Sequence, residues 1–210
     1  MNKRLNEVII KHVEGNLLTY FFVIMFFMVG ISSGAFTTKA LSQAENKELI
    51  KYLQNFFRIV DTKVIDQFSI LKQALINNLQ TGVLIWILGV TIIGIPLILL
   101  LVAVRGFIIG FTVGFFIQQM GVKGLIFSIL SLLPQNIIII PGVIIVAVLG
   151  ISFSIMLIRN KVKKTRYDNV LNQFFVYSTV IAIVHIFIAV GCLVEAYISP
   201  LFIKYMSSYM

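Results

Sequence analysis

Apolar runs of bilayer length recur along this chain, separated by short polar interruptions. Residues 17–36 read LLTYFFVIMFFMVGISSGAF. About 20 helical residues at 1.5 Å each cover the roughly 30 Å hydrocarbon core of a membrane. Residues 83–104, 137–158 and 174–194 have the same character. Residues 107–133 do not: 107–117 and 125–133 are apolar but each too short to cross, and Gln118, Gln119 and Lys123 lie between them. Between the first two runs the period changes. Leu49, Leu53, Phe56, Val60, Val64, Phe68, Leu71, Leu75 and Leu79 recur in steps of three and four, one face of a helix. Residues 37–82 are therefore expected to form an amphipathic helical segment, lying on the membrane surface or against the spans.

Composition agrees with the pattern. Of 210 residues 59% are hydrophobic and 12% charged, and mean hydropathy is +1.01; soluble domains keep about a quarter of their residues charged. The chain is expected to be all-α, a polytopic membrane protein whose residues 1–210 form one integral membrane domain. The net charge of +9 then belongs to lipid headgroups and to orientation, and no nucleic-acid partner is expected. Residues 159–166, RNKVKKTR, hold five cations in eight positions. Together with Lys3, Arg4 and Lys11 they mark residues 159–173 and 1–16 as cytoplasmic. An even number of crossings must separate them. Counting 107–133 as one broken crossing satisfies this, whereas a re-entrant hairpin does not. Five transmembrane helices result, the third broken, with 37–82 and the tail 195–210 outside. Ser33 and Ala35 fit a small-x-small cleavage site, but the first run is too long and too far from the start for a signal peptide, so it is expected to stay.

Candidate chemistry is sparse. Glu195 falls at the outer end of the last span and Arg105 at a span boundary, where it can snorkel. Lys123, in the third span, is the one costly charge. His12, His185 and Cys192 are too few for a metal centre. A Ser152–His185 dyad supplies a nucleophile and a base but no oxyanion donors. No catalytic residue, cofactor or metal is expected. Small residues are the stronger signal: Gly106, Gly110 and Gly114, and Gly30 and Gly34, form small-xxx-small faces for close helix packing, within one chain or in a homo-oligomer. Pro134 removes a backbone donor, and with Gln135 and Asn136 is expected to mark a capped helix break. Tyr52, Phe56 and Phe57 are candidate aromatic anchors for a partner on the outer segment.

These landmarks resemble the stage II sporulation protein M family. The resemblance rests on Tyr52-Leu53 with Phe56-Phe57, on Gly110-Phe111-Thr112-Val113-Gly114-Phe115, on Gln119-Met120-Gly121 and on Leu133-Pro134-Gln135-Asn136. It implies a multi-pass protein of the mother-cell membrane at the sporulation septum and around the engulfed forespore. It also implies assembly with stage II sporulation proteins D and P, which remodel peptidoglycan. The expected role is a non-enzymatic scaffold that anchors those partners in the bilayer; a permease subunit working with a separate ATPase is the alternative.

Overall fold

The computed structural model describes residues 13–62, 66–163 and 170–207, and every regular element among them is a helix. In chain order these are α1 (Leu17–Ala40), α2 (Gln43–Thr62), α3 (Gln67–Gly89), α4 (Gly94–Met120), α5 (Val122–Lys163), α6 (Val170–Tyr197) and α7 (Ser199–Ser207). Four stretches, Leu17–Ala40, Gly94–Met120, Val122–Asn160 and Val170–Ile203, are long and apolar enough to cross a bilayer. The chain is an all-α polytopic membrane protein.

The glycines give the directions of the helices. A Cβ added at Gly30 would meet the Ala103 carbonyl, at Gly34 that of Phe107, and at Gly110 that of Ile31. Positions on α1 and α4 thus rise together, so the two helices run parallel. A chain that crosses along α1 and again in the same sense along α4 must return in between. α3 provides the return: its Gly82 and Gly89 face His185 and Tyr177 of α6, an antiparallel register. α5 folds back on α4, since Gly124 abuts Phe116, and α6 folds back on α5, with Gly142 against Ile188 and Gly191 against Ile139. Five helices, α1, α3, α4, α5 and α6, thus run along the bundle in alternating register, and α1, α4, α5 and α6 contain the four stretches long and apolar enough to cross a bilayer.

Several expected boundaries are displaced. Residues 83–104 are not one span. α3 ends at Gly89, and Val90 and Thr91 make the closing turn through hydrogen bonds to Ile87 and Leu88. The Ser154 hydroxyl lies 2.8 Å from both the Gly89 and Thr91 carbonyls, which satisfies acceptors that the helix end leaves open. Pro96 then sits in the first turn of α4, where a missing N–H costs nothing. Residues 107–133 are not a kinked crossing either. Gly121, at φ 59, reverses the chain between α4 and α5, a conformation in which glycine has no Cβ to clash. The two halves of the expected third span belong to different helices. Lys123 is exposed beside that turn rather than mid-span.

Pro134, Gln135 and Asn136 do not break a helix. They lie inside the 42 residues of α5, with Pro141 further along. In hydrocarbon there is no water to take a freed carbonyl, so neighbouring groups retain the helix through a proline. The carbonyl freed by Pro134 is that of Leu130. On either side of it Asn136 Nδ2 donates to the Leu132 carbonyl at 2.8 Å and the Ser131 hydroxyl to that of Phe127, which adds side-chain bonds to the flanking turns.

Outside the bundle α2 begins with a reciprocal cap. Glu45 N–H donates to the Ser42 hydroxyl at 3.3 Å, and Ser42 N–H donates to the Glu45 carboxylate at 2.9 Å. Asp66 caps α3, accepting from Phe68 N–H at 3.1 Å and from the Ser69 hydroxyl. These bonds to the charged forms hold both carboxyls below their ordinary values, chiefly through Ser42 for Glu45 and through Ser69 for Asp66.

Candidate functional site: a polar cavity among the spans

α4 presents two faces to the bundle. On the first, Gly106, Gly110 and Gly114 meet Gly30, Gly34 and their neighbours on α1. An ideal Cβ at Gly106 would stand 2.3 Å from the Phe27 carbonyl oxygen, and at Gly110 2.0 Å from that of Ile31. Such distances leave no room for a side chain, so backbone lies directly on backbone. The glycines that the sequence singles out are thus consumed within one chain. At Gly114 the seam loosens, with Ala35 Cα at 3.0 Å and Thr38 Oγ1 at 3.2 Å.

The second face carries Val102, Arg105, Ile108, Ile109 and Thr112, which wall a cavity of about 190 Å³ with parts of α1, α3, α5 and α6. Seven polar residues line it: Asn77 and Asn78 of α3, Arg105 and Thr112 of α4, Gln135 and Asn136 of α5, and Glu195 of α6. Arg105 is at the twelfth position of α4, not at a span boundary. Its guanidinium donates to the Asn77 carbonyl at 3.2 Å and to the Thr81 hydroxyl. The register Gly30–Ala103 places it about 22 Å along α1 from Leu17, some two-thirds of the way across the core. Glu195, expected at the water boundary, is partly buried in the same cavity. A cation and a carboxylate facing one cavity inside a span are costly unless they hold each other or a ligand.

The floor is tied from several helices. Asn78 Nδ2 donates to the Ala74 carbonyl at 2.9 Å and approaches Cys192 Sγ at 3.4 Å. Its Oδ1 is buried and has no hydrogen-bond partner. The amide orientation is settled by Ala74, because a carbonyl can only face the nitrogen. The Ser199 hydroxyl, at the start of α7, donates to Gln135 Oε1, pinning α7 to α5. Gln135 and Asn136 are therefore cavity and docking residues, not a helix terminus. Sequence reasoning missed Asn77, Asn78 and Thr81. The available signal was the small and polar stripe Ala74, Asn78, Gly82, Ile85 and Gly89, which is buried and holds Asn78 itself.

Ser152 and His185 are not brought together. The Ser152 hydroxyl donates to Asn16 Oδ1 at 2.7 Å, near the start of α1, whereas His185 bonds the Ile181 carbonyl through Nδ1 at 2.8 Å and packs on Gly82. Among the described residues no group of three His, Cys, Asp or Glu is placed to hold a metal; His12 lies outside them.

Beyond the C-terminal end of α1, α2, α7 and the α4–α5 turn meet. Gln119 Nε2 donates to Asn46 Oδ1 at 2.8 Å, which fixes α2 to the turn, and α2 also touches α7. Tyr52 is 76% exposed on this platform, beside a groove lined by Leu41, Glu45, Glu48 and Leu49. Phe56 and Phe57 continue α2, but their side chains lie outside the described residues.

A family model described as Stage II sporulation protein M matches residues 23–200, which include most of α1 and the whole of α2, α3, α4, α5 and α6. The chain belongs to the stage II sporulation protein M family. No curated protein and no solved structure matches it. Membership of the stage II sporulation protein M family makes it a sporulation-related, multi-pass membrane protein, and the match covers the glycine seam, the cavity and most of the platform.

Proposed function

We propose that this member of the family is a non-enzymatic membrane scaffold that anchors peptidoglycan-degrading partners during forespore engulfment. The partners are stage II sporulation proteins D and P, and the site is the mother-cell membrane at the septum and the engulfing membrane. The single observation that supports this reading best is the helical platform at one end of the bundle. There α2 is bonded to the α4–α5 turn, touches α7 and presents an exposed aromatic residue, Tyr52, beside a groove. Ser152 and His185 bond to Asn16 and Ile181 rather than to each other. The basic stretch Arg159–Lys163 ends α5 at the opposite end, so the positive-inside tendency favours the platform outside, where cell-wall enzymes work.

Co-purification from sporulating membranes in mild detergent tests this. The wild-type chain should recover proteins D and P, and Tyr52→Ala should reduce their recovery while the membrane level of the chain stays unchanged. Recovery of neither partner with the wild-type chain would refute the scaffold.

A further inference from the structure

The cavity is unlike a gap left by imperfect packing. At about 190 Å³ it exceeds several times a water molecule's roughly 30 Å³ share of volume. Arg105 of α4 and Glu195 of α6 both line it, so the walls carry a guanidinium and a carboxylate and suit a group bearing both charges. Asn136, also in the wall, uses its Nδ2 on Leu132 and keeps its oxygen as a further acceptor. An ammonium, with three donors and no acceptor, answers that arrangement, and a phosphate answers Arg105.

Depth and access indicate where such a group comes from. Arg105 lies about 8 Å inside the far edge of the core by the register with α1. Ile108 lines the cavity and is 55% exposed, so the mouth opens towards acyl chains rather than water. We propose that this cavity holds the headgroup of a phospholipid bearing a primary ammonium, its phosphate on Arg105 and its ammonium on Glu195. The lipid would then be a structural ligand joining α3, α4, α5 and α6.

Native mass spectrometry of the full-length chain, purified in detergent with equal amounts of three lipids, tests this. Phosphatidylethanolamine should be retained about tenfold over phosphatidylcholine, whose nitrogen has no N–H, and over phosphatidylglycerol, which has no cation. Glu195→Gln should abolish that preference. Arg105→Gln also breaks the tie to α3, so the second variant is Ile108→Trp, which plugs the mouth from the lipid face and should abolish retention. Equal retention of the three lipids, or an unchanged preference in both variants, would leave annular lipid only and overturn the proposal. Displacement of the lipid by millimolar phosphoethanolamine would assign the site to a soluble zwitterion and overturn the lipid assignment.

Discussion

The two faces of α4 handle the membrane interior in opposite ways. Towards α1 it removes side chains altogether, and towards α3, α5 and α6 it inserts an arginine. Where lipid tails are as apolar as leucine, burial drives no association between helices, and close van der Waals packing must supply the stability. The glycine seam is the rigid contact, because backbone atoms opposite Gly30, Gly34, Gly106 and Gly110 have nowhere to move. The polar face is held apart by its own side chains and leaves space between them. Rigidity thus resides in one contact and recognition in the other, on adjacent residues 105 and 106.

The seam should be the easiest of the two to break. Gly110→Leu would drive a Cβ to 2.0 Å from a backbone oxygen, and unfolding in mixed micelles should show a loss of about 3 kcal/mol or more. Gly114→Ala, at the loose end, should cost less than about 1 kcal/mol. If the two variants were equally stable, the seam would not be the rigid contact.

On the cavity side, Gln135→Leu strands the buried Ser199 hydroxyl. It should cost about 1–2 kcal/mol in the same assay. Asn78→Leu removes an acceptor that has no hydrogen-bond partner among the described residues. Its effect should be smaller than that of Gln135→Leu.

The smallest expected effect is on the caps of the platform. Glu45 and Asp66 are held low by bonds to their ionised forms, so their capping is fully present above the unfolded values of about 4. It is lost as pH falls through the lower folded values. A spin label at Lys47 should gain mobility only in strongly acidic buffer, and Ser42→Ala should raise its mobility at neutral pH.

How far the sequence led depends on the kind of signal. The apolar runs placed α1 and α6 closely, because a hydrocarbon environment demands about 20 apolar residues whatever the neighbours. The reversal at residues 90–93 was hidden, since it lies within apolar surroundings and breaks no charge pattern. That at Gly121 was marked by Gln118, Gln119 and Lys123 but read as a break within one crossing, because the parity of the basic segments required a single crossing there. Pro134 misled for a physical reason: a proline that ends a helix in water is tolerated where no water competes for the carbonyl. The stripe Leu71, Leu75 and Leu79 was real but inverted in meaning. Leu75 and Leu79 face outward at 37% and 57% exposure, while Ala74, Asn78 and Gly82 face the bundle. α3 packs its small and polar residues on the bundle and leaves its leucines outward, where its pattern suggested a surface segment. For the same reason the cavity went unseen: it depends on Asn77, Asn78 and Thr81, which fall in the segment 37–82 read as lying outside the spans or against them.

The central claim is that five helices cross and set the α2–α7 platform opposite the basic segment 159–166. Single cysteines at Lys47, Lys123 and Arg159 in a Cys192→Ser background, probed in intact cells with a membrane-impermeant maleimide, test it directly. Positions 47 and 123 should label from outside and position 159 only after permeabilisation. Labelling of 123 and 159 from the same side would contradict the account.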